Sequence, residues 1–221
     1  MVATISSDIV RSTSLHTGDL ITLRNKLRSF FRELEGDFPG FWGRIVRGDS
    51  IECFIPDYRY ALRLAILIKL YVKMNTGALD CSELLKKYGI RFSIGIGGID
   101  YSSQEDDIIN GPAIYISGRN LDELGRNSDR YAAIEVEGIP RPICMVLDSY
   151  VSLLDSMVNS YSWKQSEVVF YKLRGFKEVE ISRLLGILQP SVNTRSTNAQ
   201  WNLLNTAIRD FEQLDFERIC G

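Results

Sequence analysis

Histidine and cysteine are scarce in this sequence, and their scarcity argues against the chemistry that depends on them. His16 is the one histidine in 221 residues, so a histidine-rich zinc site and a Ser-His-Asp triad are both disfavoured. His16 itself is expected near a helix start. The four cysteines contain no Cys-x-x-Cys pair and are predicted to be free, mostly buried thiols. They are Cys53, Cys81, Cys144 and Cys220.

Long hydrophobic runs are also lacking. No stretch reaches the roughly 18 uncharged apolar residues that a membrane helix needs. The N-terminus carries no basic region before its short apolar run, so a signal peptide is not predicted. We therefore expect a cytoplasmic protein without a membrane partner. With 45% hydrophobic and 24% charged residues, the composition is typical of a globular protein with one core and a small second domain.

The apolar pattern predicts two domains, residues 1–160 and 161–221. In the first, strands are expected at 2–10, 41–46, 50–55, 90–97 and 131–136, and helices at 15–34, 60–74, 81–87, 111–125 and 145–161. This order favours an α/β (α+β) fold, a mixed sheet with covering helices. Residues 102–110 are expected to form a polar loop over a site. After residue 163 only helical patterns remain, which predicts a small all-α domain.

Two aspartates occupy similar settings in the first domain. Asp8 ends an apolar run, and Asp49 lies in a Gly-Asp turn between two strand-like segments. Carboxylates at a strand edge and at a neighbouring hairpin tip can converge on one divalent cation. Hard oxygen ligands suit magnesium that carries a phosphorylated ligand. The alternative is that one aspartate caps a helix and the other fills a turn.

Four motifs in the first domain resemble those of class III nucleotide cyclases. Residues 7–13 (SDIVRST) and 47–50 (RGDS) are similar to the two metal-binding motifs. Residues 91–98 (RFSIGIGG) are similar to a glycine-ended strand, and 111–119 (GPAIYISGR) to a helix that ends in a catalytic arginine. The motifs follow family order over roughly the first 150 residues. SatD-type proteins share this outline and match it equally well.

The resemblance implies a ferredoxin-like cyclase-type fold, a bound nucleotide with magnesium, and a homodimer, because cyclase-type sites form between two chains. It assigns metal binding to Asp8, the backbone of Ile9 and Asp49, and a catalytic role to Arg119. Phosphate binding is expected from Arg11, Ser12 and Thr13, where the backbone of residues 9–13 enters a helix N-terminus and can donate amides.

Three positions depart from the cyclase pattern. The transition-state asparagine is replaced by Tyr115, and the purine-selecting aspartate by Ile108, with Asp107 adjacent. The base-reading lysine falls near Ile45, between Arg44 and Arg47. Since a phenol does not preserve the hydrogen bonds of an amide, we expect a degenerate domain that binds a nucleotide or another ligand without efficient cyclisation. A divergent pyrimidine cyclase remains an alternative.

The last quarter of the chain resembles region 4 of sigma-70 and related bacterial regulators over residues 163–212. Helices are expected at 163–173, 177–187, 189–199 and 201–216, and the middle pair forms a helix-turn-helix. Net charge is −2 overall, but residues 161–209 hold seven basic and three acidic side chains. Lys172 and Arg174 could also hold the DNA backbone. The remaining expected DNA-binding residues are Lys177, Arg183, Gln189, Ser191, Asn193, Thr194, Arg195, Thr197 and Asn198.

Three functions follow from these patterns. The first is a DNA-binding transcriptional regulator whose degenerate cyclase-like domain senses a ligand. The second is an enzyme, a divergent nucleotide cyclase or other magnesium-dependent phosphoryl-transfer protein that uses Asp8, Asp49 and Arg119. The third is an adaptor in which both domains make protein contacts only, the helices serving in dimerisation.

Overall fold

The computed structural model of the chain describes residues 1–46, 48–126 and 129–220. Arg47, part of the second cyclase-like motif, lies outside the described residues. The strands are β1 Val2–Ile9, β2 Trp42–Ile45, β3 Ser50–Ile55, β4 Ile90–Gly97, β5 Tyr101–Ser103, β6 Ile108–Asn110 and β7 Ala132–Val136. The helices are α1 Thr17–Asp37, α2 Ala61–Thr76, α3 Glu83–Tyr88, α4 Pro112–Arg126, α5 Arg141–Asn159, α6 Trp163–Leu173, α7 Glu178–Leu185, α8 Gln189–Asn198, α9 Trp201–Glu212 and α10 Phe216–Cys220.

Five strands form one mixed sheet in the order β2-β3-β1-β4-β7. Its neighbours are antiparallel except β4 and β7, which are parallel. Because side chains alternate along a strand, β1 places Ala3 and Ile5 in the buried core and Thr4 and Ser6 on the opposite face. The expected mixed sheet with covering helices is confirmed.

Helix α4 packs closely on the polar face of the central strands. The Ser117 hydroxyl lies 2.9 Å from the Thr4 hydroxyl and 2.8 Å from that of Ser6. On β4, Gly95 leaves room for the helix backbone, since a Cβ there would meet the carbonyl oxygen of Ala113 at 2.1 Å. Small residues on both sides therefore set the distance between α4 and the sheet.

The C-terminal helices share a core with the sheet domain. Phe170, Phe211 and Phe216 belong to the same buried cluster as the strands and α2. Arg63 of α2 binds Glu212 of α9, with Nε 2.6 Å from Oε1. A second, small cluster of Val168, Ile181 and Val192 lies beneath the α7–α8 pair. Residues on both sides of residue 160 therefore pack on α2. Helices α7 and α8 instead pack around the small second cluster.

Several sequence expectations need correction. Residues 101–110 form the β5–β6 hairpin rather than a polar loop. Helix α5 begins at Arg141 instead of 145, with Pro142 in the first turn. Proline suits this turn because its fixed φ is helical and its missing N–H has no helical acceptor there. The expected helix 201–216 is divided into α9 and α10. His16 lies directly before α1 as its N-cap residue, as expected.

The core also holds charged residues that the sequence pattern did not reveal. Lys69 and Lys73 of α2 are fully buried, and the Lys69 Nζ lies 2.5 Å from Oδ1 of buried Asp155 on α5. The Lys73 ammonium donates to the carbonyls of Val158 and Asn159 at the end of α5. Burial, which is the main cause, and the neighbouring Lys69 charge together lower the pKa of Lys73 to about 7. These contacts fix α5 to α2.

Cys53 is buried, Cys81 and Cys144 are half-buried, and all three are free thiols. Burial raises the pKa of the Cys53 thiol. Within the described parts of the chain, none of the helices has the length and apolar character that crossing a bilayer requires.

Candidate functional site

Asp8 meets an arginine at the end of the central strand. It stands directly opposite Arg91 in the β1–β4 register. The guanidinium donates to both carboxylate oxygens, from Nε at 2.9 Å and from Nη2 at 2.6 Å. Both side chains are partly exposed, Asp8 at 23% and Arg91 at 28%, so the pair lies at the surface, where solvent or a ligand can reach it.

Asp49 is fixed beside this pair by the turn that follows β1. Ser12 donates its hydroxyl to Oδ2 of Asp49 at 2.5 Å, and the amide of Ile9 donates to the Asp49 carbonyl at 3.2 Å. Because β1 and β3 pair with Asp8 opposite Ser50, the hairpin tip lies next to the strand end. Asp8 and Asp49 are thus held at the same edge of the sheet.

Arg91 links the two aspartates electrostatically. The hydrogen bond to Asp8 is the main cause that raises the pKa of Arg91, and the negative charge of Asp49 raises it as well. One guanidinium therefore lies within the field of both carboxylates. The sequence reasoning missed this role, although an arginine at the start of β4, across from the end of β1, was a usable signal.

A cavity of about 400 Å³ opens beside Arg91. Its lining includes Arg11, Arg91, Arg130 and Tyr131, so three arginines border a partly open space. Arg11 is held in the left-handed region at φ 52°, and Arg130 is held by Asp148 at 2.6 Å. Such a set of cations matches the charge and hydrogen-bonding capacity of a phosphate group.

The donor set at this edge fits a magnesium ion that arrives with phosphate. Among the described residues, no group of three or more His, Cys, Asp or Glu side chains gathers to form an all-protein metal cage. Magnesium is commonly held by one or two carboxylates plus phosphate oxygens. Asp8 and Asp49 could supply the carboxylates, provided that Asp8 shares or releases Arg91.

The backbone after β1 differs in detail from the expected phosphate loop. The amides of Ile9 and Val10 are already committed, to the carbonyls of Asp49 and Gly89. Ser12–Ser14 form a single 3-10 turn, and α1 starts only at Thr17. The phosphate role expected of Arg11, Ser12 and Thr13 would therefore fall to a 3-10 turn between β1 and α1.

Arg119 is placed away from the two aspartates within one chain. It is 57% exposed and binds Glu135 of β7 at 3.0 Å. In the sheet register Glu135 pairs with Gly95, and Gly95 pairs with Thr4 of β1. Thr4 is four residues before Asp8, so Glu135 and Asp8 are separated by about 13 Å along the strand direction. Arg119 instead lines a separate cavity of about 850 Å³ between α4, β7 and α5.

The positions that depart from the cyclase pattern have partners of their own. Tyr115 is 61% exposed and its hydroxyl donates to the side chain of Asn110. Arg44 of β2 binds Glu52 at 2.5 Å and Asp107 at 3.1 Å. The β5–β6 hairpin is therefore held to β2 by Arg44. Arg44 and Asp107 are sequence neighbours of Ile45 and Ile108, the positions that depart from the cyclase pattern.

The α7–α8 pair forms a helix-turn-helix, with Gly186 in the left-handed region at φ 62° to end α7. The exposed polar residues of α8 and its start include no carboxylate. They are Gln189, Asn193, Thr194, Thr197 and Asn198. Ser191 is half-buried, while Lys177, the N-cap residue of α7, and Arg183 on α7 are exposed. The surface that α8 presents is polar and weakly basic.

Three of the expected DNA-binding cations are engaged within the protein. Arg195 faces Glu167 of α6 at 3.7 Å, Lys172 binds Glu178 at 2.7 Å, and Arg174 binds Glu33 of α1 at 2.7 Å. Burial raises the pKa of Glu167, and the Arg195 charge opposes this. The cations left on the outer surface of the helix-turn-helix are Lys177 and Arg183.

No protein-family model and no curated protein matches the chain. Among solved structures it is similar to two described as a bacterial light-regulated adenylyl cyclase. The first has 17% identity and a TM-score of 0.40 over 60% of this chain and 41% of that one. The second has 20% identity and a TM-score of 0.35 over 60% of this chain and 74% of that one. The chain spans less than half the length of the first. Similarity of this extent carries no conclusion about the activity of this chain.

Proposed function

We propose that the chain is a cytoplasmic regulator whose residues 1–160 bind a phosphorylated ligand with magnesium and whose residues 161–221 bind DNA. A nucleotide is the expected ligand class. The observation that carries the ligand site is the common position of Asp8, Asp49 and Arg91 beside a cavity lined by arginines. The resemblance to class III cyclases and SatD-type proteins supports the same ligand class.

The roles of the residues follow from their charge and position. Asp8 and Asp49 would hold the magnesium ion, with the Ile9 carbonyl as a further oxygen donor. Bound magnesium neutralises and orients phosphate oxygens. Arg91 and Arg11 would bind the phosphate itself, with Ser12 and Thr13 donating from the turn. Arg91 then exchanges part of its contact with Asp8 for the ligand.

Binding without efficient turnover is the preferred form of this proposal. Tyr115 and Ile108 replace the groups that the cyclase resemblance assigns to the transition state and to the purine, and Arg119 is bound to Glu135. An enzyme remains the second candidate, because Arg119 is exposed enough to reach a second copy in a homodimer. Incubation with each nucleoside triphosphate and magnesium decides between them, since turnover that Asp8→Ala abolishes would establish an enzyme.

Asp49→Asn is expected to weaken magnesium-dependent nucleotide binding by about 10-fold or more, because a charged contact contributes about 1.5–3 kcal/mol. Titration calorimetry with each of the four ribonucleoside triphosphates, with and without magnesium, measures this. Asp122→Asn, which changes an exposed carboxylate on α4, is the matched control and should bind like the original chain. Equal binding by both variants, or no binding of any triphosphate, would refute the ligand site.

DNA binding by the C-terminal helices rests on the carboxylate-free face of α8 and on the sigma-70 region 4 resemblance. Lys177 and Arg183 are assigned to phosphate contacts, and the exposed amides and hydroxyls of α8 to base edges. Arg195 would assist only after it leaves Glu167. The adaptor alternative is favoured by the three cations that form ion pairs within the protein, because these are not free to bind DNA phosphates. The following experiment distinguishes the two.

Lys177→Ala combined with Arg183→Ala is expected to weaken binding to mixed duplex DNA and to lower the salt slope by about 2, one unit for each lost phosphate contact. Fluorescence anisotropy across a salt series measures both quantities. Arg209→Ala, on the exposed side of α9, serves as control and should leave the slope unchanged. Binding that ignores salt, or an unaltered double variant, would favour the adaptor.

A further inference from the structure

Arg130 connects the arginine-lined cavity to helix α5. It borders that cavity together with Arg11 and Arg91. Its Nη2 atom donates to Oδ2 of Asp148 at 2.6 Å and to the Ser152 hydroxyl at 2.8 Å, and both acceptors lie on α5. One side chain is therefore shared between the proposed ligand site and a helix that leads to the C-terminal domain.

The same contacts hold α5 against β7, the outer strand of the main sheet. Asp148 accepts from the Ile134 amide at 3.1 Å. The Ser152 hydroxyl and Arg130 Nη2 each donate to the Ala132 carbonyl at 3.3 Å. The backbone groups on the open side of an outer strand have no neighbouring strand, so they need other partners. Side chains on and beside α5 supply these partners, and Arg130 joins them.

The ion pair between Arg130 and Asp148 is open to a competing anion. The side chains are 38% and 27% exposed. Nη2 carries two hydrogens but is shared by three acceptors on Asp148, Ser152 and Ala132. Ion pairs of such exposure contribute little to stability, whereas a phosphate group carries more charge than a carboxylate and binds a guanidinium through two parallel hydrogen bonds. A phosphate in the cavity can therefore replace Asp148 as the partner of Arg130.

We propose that Arg130 binds the phosphorylated ligand, and that α5 and the ligand compete for this one guanidinium. Binding of the ligand then separates Arg130 from Asp148 and loosens α5 from β7. This inference rests on the proposed ligand site. It adds a binding residue that the cyclase resemblance does not assign, and it gives the site a means of regulation.

The contacts of α5 carry this effect toward the C-terminal helices. The Tyr150 hydroxyl of α5 donates to the Ala207 carbonyl of α9 at 2.7 Å. Helix α5 ends at Asn159, and α6 begins at Trp163. A loosened α5 therefore acts on both α6 and α9. Because coupling between two sites is reciprocal, whatever holds α5 on β7 also weakens binding of the ligand.

Substitutions at the two ends of the ion pair should change ligand binding in opposite directions. Arg130→Gln removes a ligand contact and should weaken the magnesium-dependent binding of a ribonucleoside triphosphate at least about threefold. Asp148→Asn removes the competing charge, while its amide oxygen can still accept from the Ile134 amide, and should tighten binding about twofold to fivefold. Titration calorimetry with ATP, CTP, GTP and UTP, each with magnesium, measures both changes.

The double variant distinguishes competition from simple charge repulsion. If Asp148 acts by holding Arg130, then Asp148→Asn should have no effect on binding once Arg130→Gln is present. Tightening that persists in the double variant would mean that the Asp148 charge repels the phosphate directly, and would overturn the proposal. Asp57→Asn is the matched control, because it breaks an Asp–Arg pair of the same 2.6 Å length, with Arg59, and should leave binding unchanged.

Hydrogen exchange measures the release of α5. Bound triphosphate should speed the exchange of backbone amides 144–152 at least about threefold in the original chain, and should not do so in Arg130→Gln. Circular dichroism and thermal melting check that each variant is folded. If none of the four triphosphates binds the original chain, the ligand site itself is refuted and this inference with it. If one binds but Asp148→Asn does not tighten it, the ligand site stands and the competition for Arg130 is refuted.

Discussion

Asp155→Asn should cost the chain about 3–5 kcal/mol of folding free energy, because it leaves the buried Lys69 ammonium without its counter-charge. Lys69 is fully buried and Asp155 is 4% exposed, with 2.5 Å between Nζ and Oδ1. The other Asp155 oxygen accepts from Asn159 at 2.7 Å, so the carboxylate also orders the end of α5. For a chain of this size the loss corresponds to a fall in Tm of about 6–20 °C.

The pH dependence of this loss has a definite sign. Burial lowers the pKa of Lys69, and the Asp155 charge opposes that shift. The Asp155 charge also raises the pKa of Lys73 against the effect of burial. Without it, both folded-state pKa values fall further below the unfolded value of about 10.5. The unfolded chain then binds more protons, so stability rises with pH and the penalty of Asp155→Asn shrinks. Denaturant unfolding between about pH 6 and about pH 9 measures the trend.

Two further variants separate charge pairing from packing. Lys69→Met with Asp155→Leu removes both charges and should recover most of the stability, because a well-packed apolar pair often equals a buried ion pair. Asp122→Asn, an exposed acid, should leave unfolding unchanged. If Asp155→Asn unfolds at the same denaturant concentration as the original chain, the Lys69 ion pair is not a structural contact of the fold.

The sequence allowed the five strands of the main sheet and most helices of the first domain to be predicted, because their apolar periodicity is local. It also singled out Asp8, which ends an apolar run, and Asp49, which lies in a Gly-Asp turn between two strand-like segments. Arg91 and the buried lysines were missed for a common reason. A charged residue takes its role from a partner far along the chain, 83 residues away for Asp8 and Arg91, and periodicity carries no information about that partner.

The relation between the two parts of the chain was equally hidden. The helical pattern after residue 163 suggested a separate domain, yet Arg174 binds Glu33 of α1 and Phe170 enters the main core. A side chain that faces another part of the fold has the same sequence signature as one that faces its own helix bundle. Consequently, cations assigned to DNA by charge alone proved to hold the helices on the sheet domain or on each other.

This packing bears on how a ligand could influence the helix-turn-helix. Helix α2 is buried between the sheet and α6, and Gly77 at its end lies where a Cβ would meet the Trp163 side chain at 2.1 Å. A displacement of α2 would therefore carry α6 with it. The helix-turn-helix rests on α6 through Val168, so the contacts from the sheet to α8 are continuous, which the proposed sensor requires.

Gly95→Ala is the second change with a large expected effect, about 3 kcal/mol of destabilisation or more, because the clash involves backbone on both sides. The added Cβ would lie 2.1 Å from the Ala113 carbonyl oxygen and 2.8 Å from the Ser117 amide nitrogen. Neither atom can move alone, since both belong to α4. The helix must therefore lift from the sheet, and the Ser117 hydroxyl must leave Thr4 and Ser6.

The matched control is Gly118→Ala in the same helix, where a Cβ meets nothing within 4 Å. Alanine stabilises a helix interior by about 0.8–1.0 kcal/mol relative to glycine, so this variant should unfold at a higher denaturant concentration than the original chain, and Gly95→Ala at a lower one. Opposite signs for the same chemical change would show that the space between α4 and β4, rather than glycine content, controls stability. Equal effects of the two substitutions would mean that α4 is not seated on the strand at the distance observed.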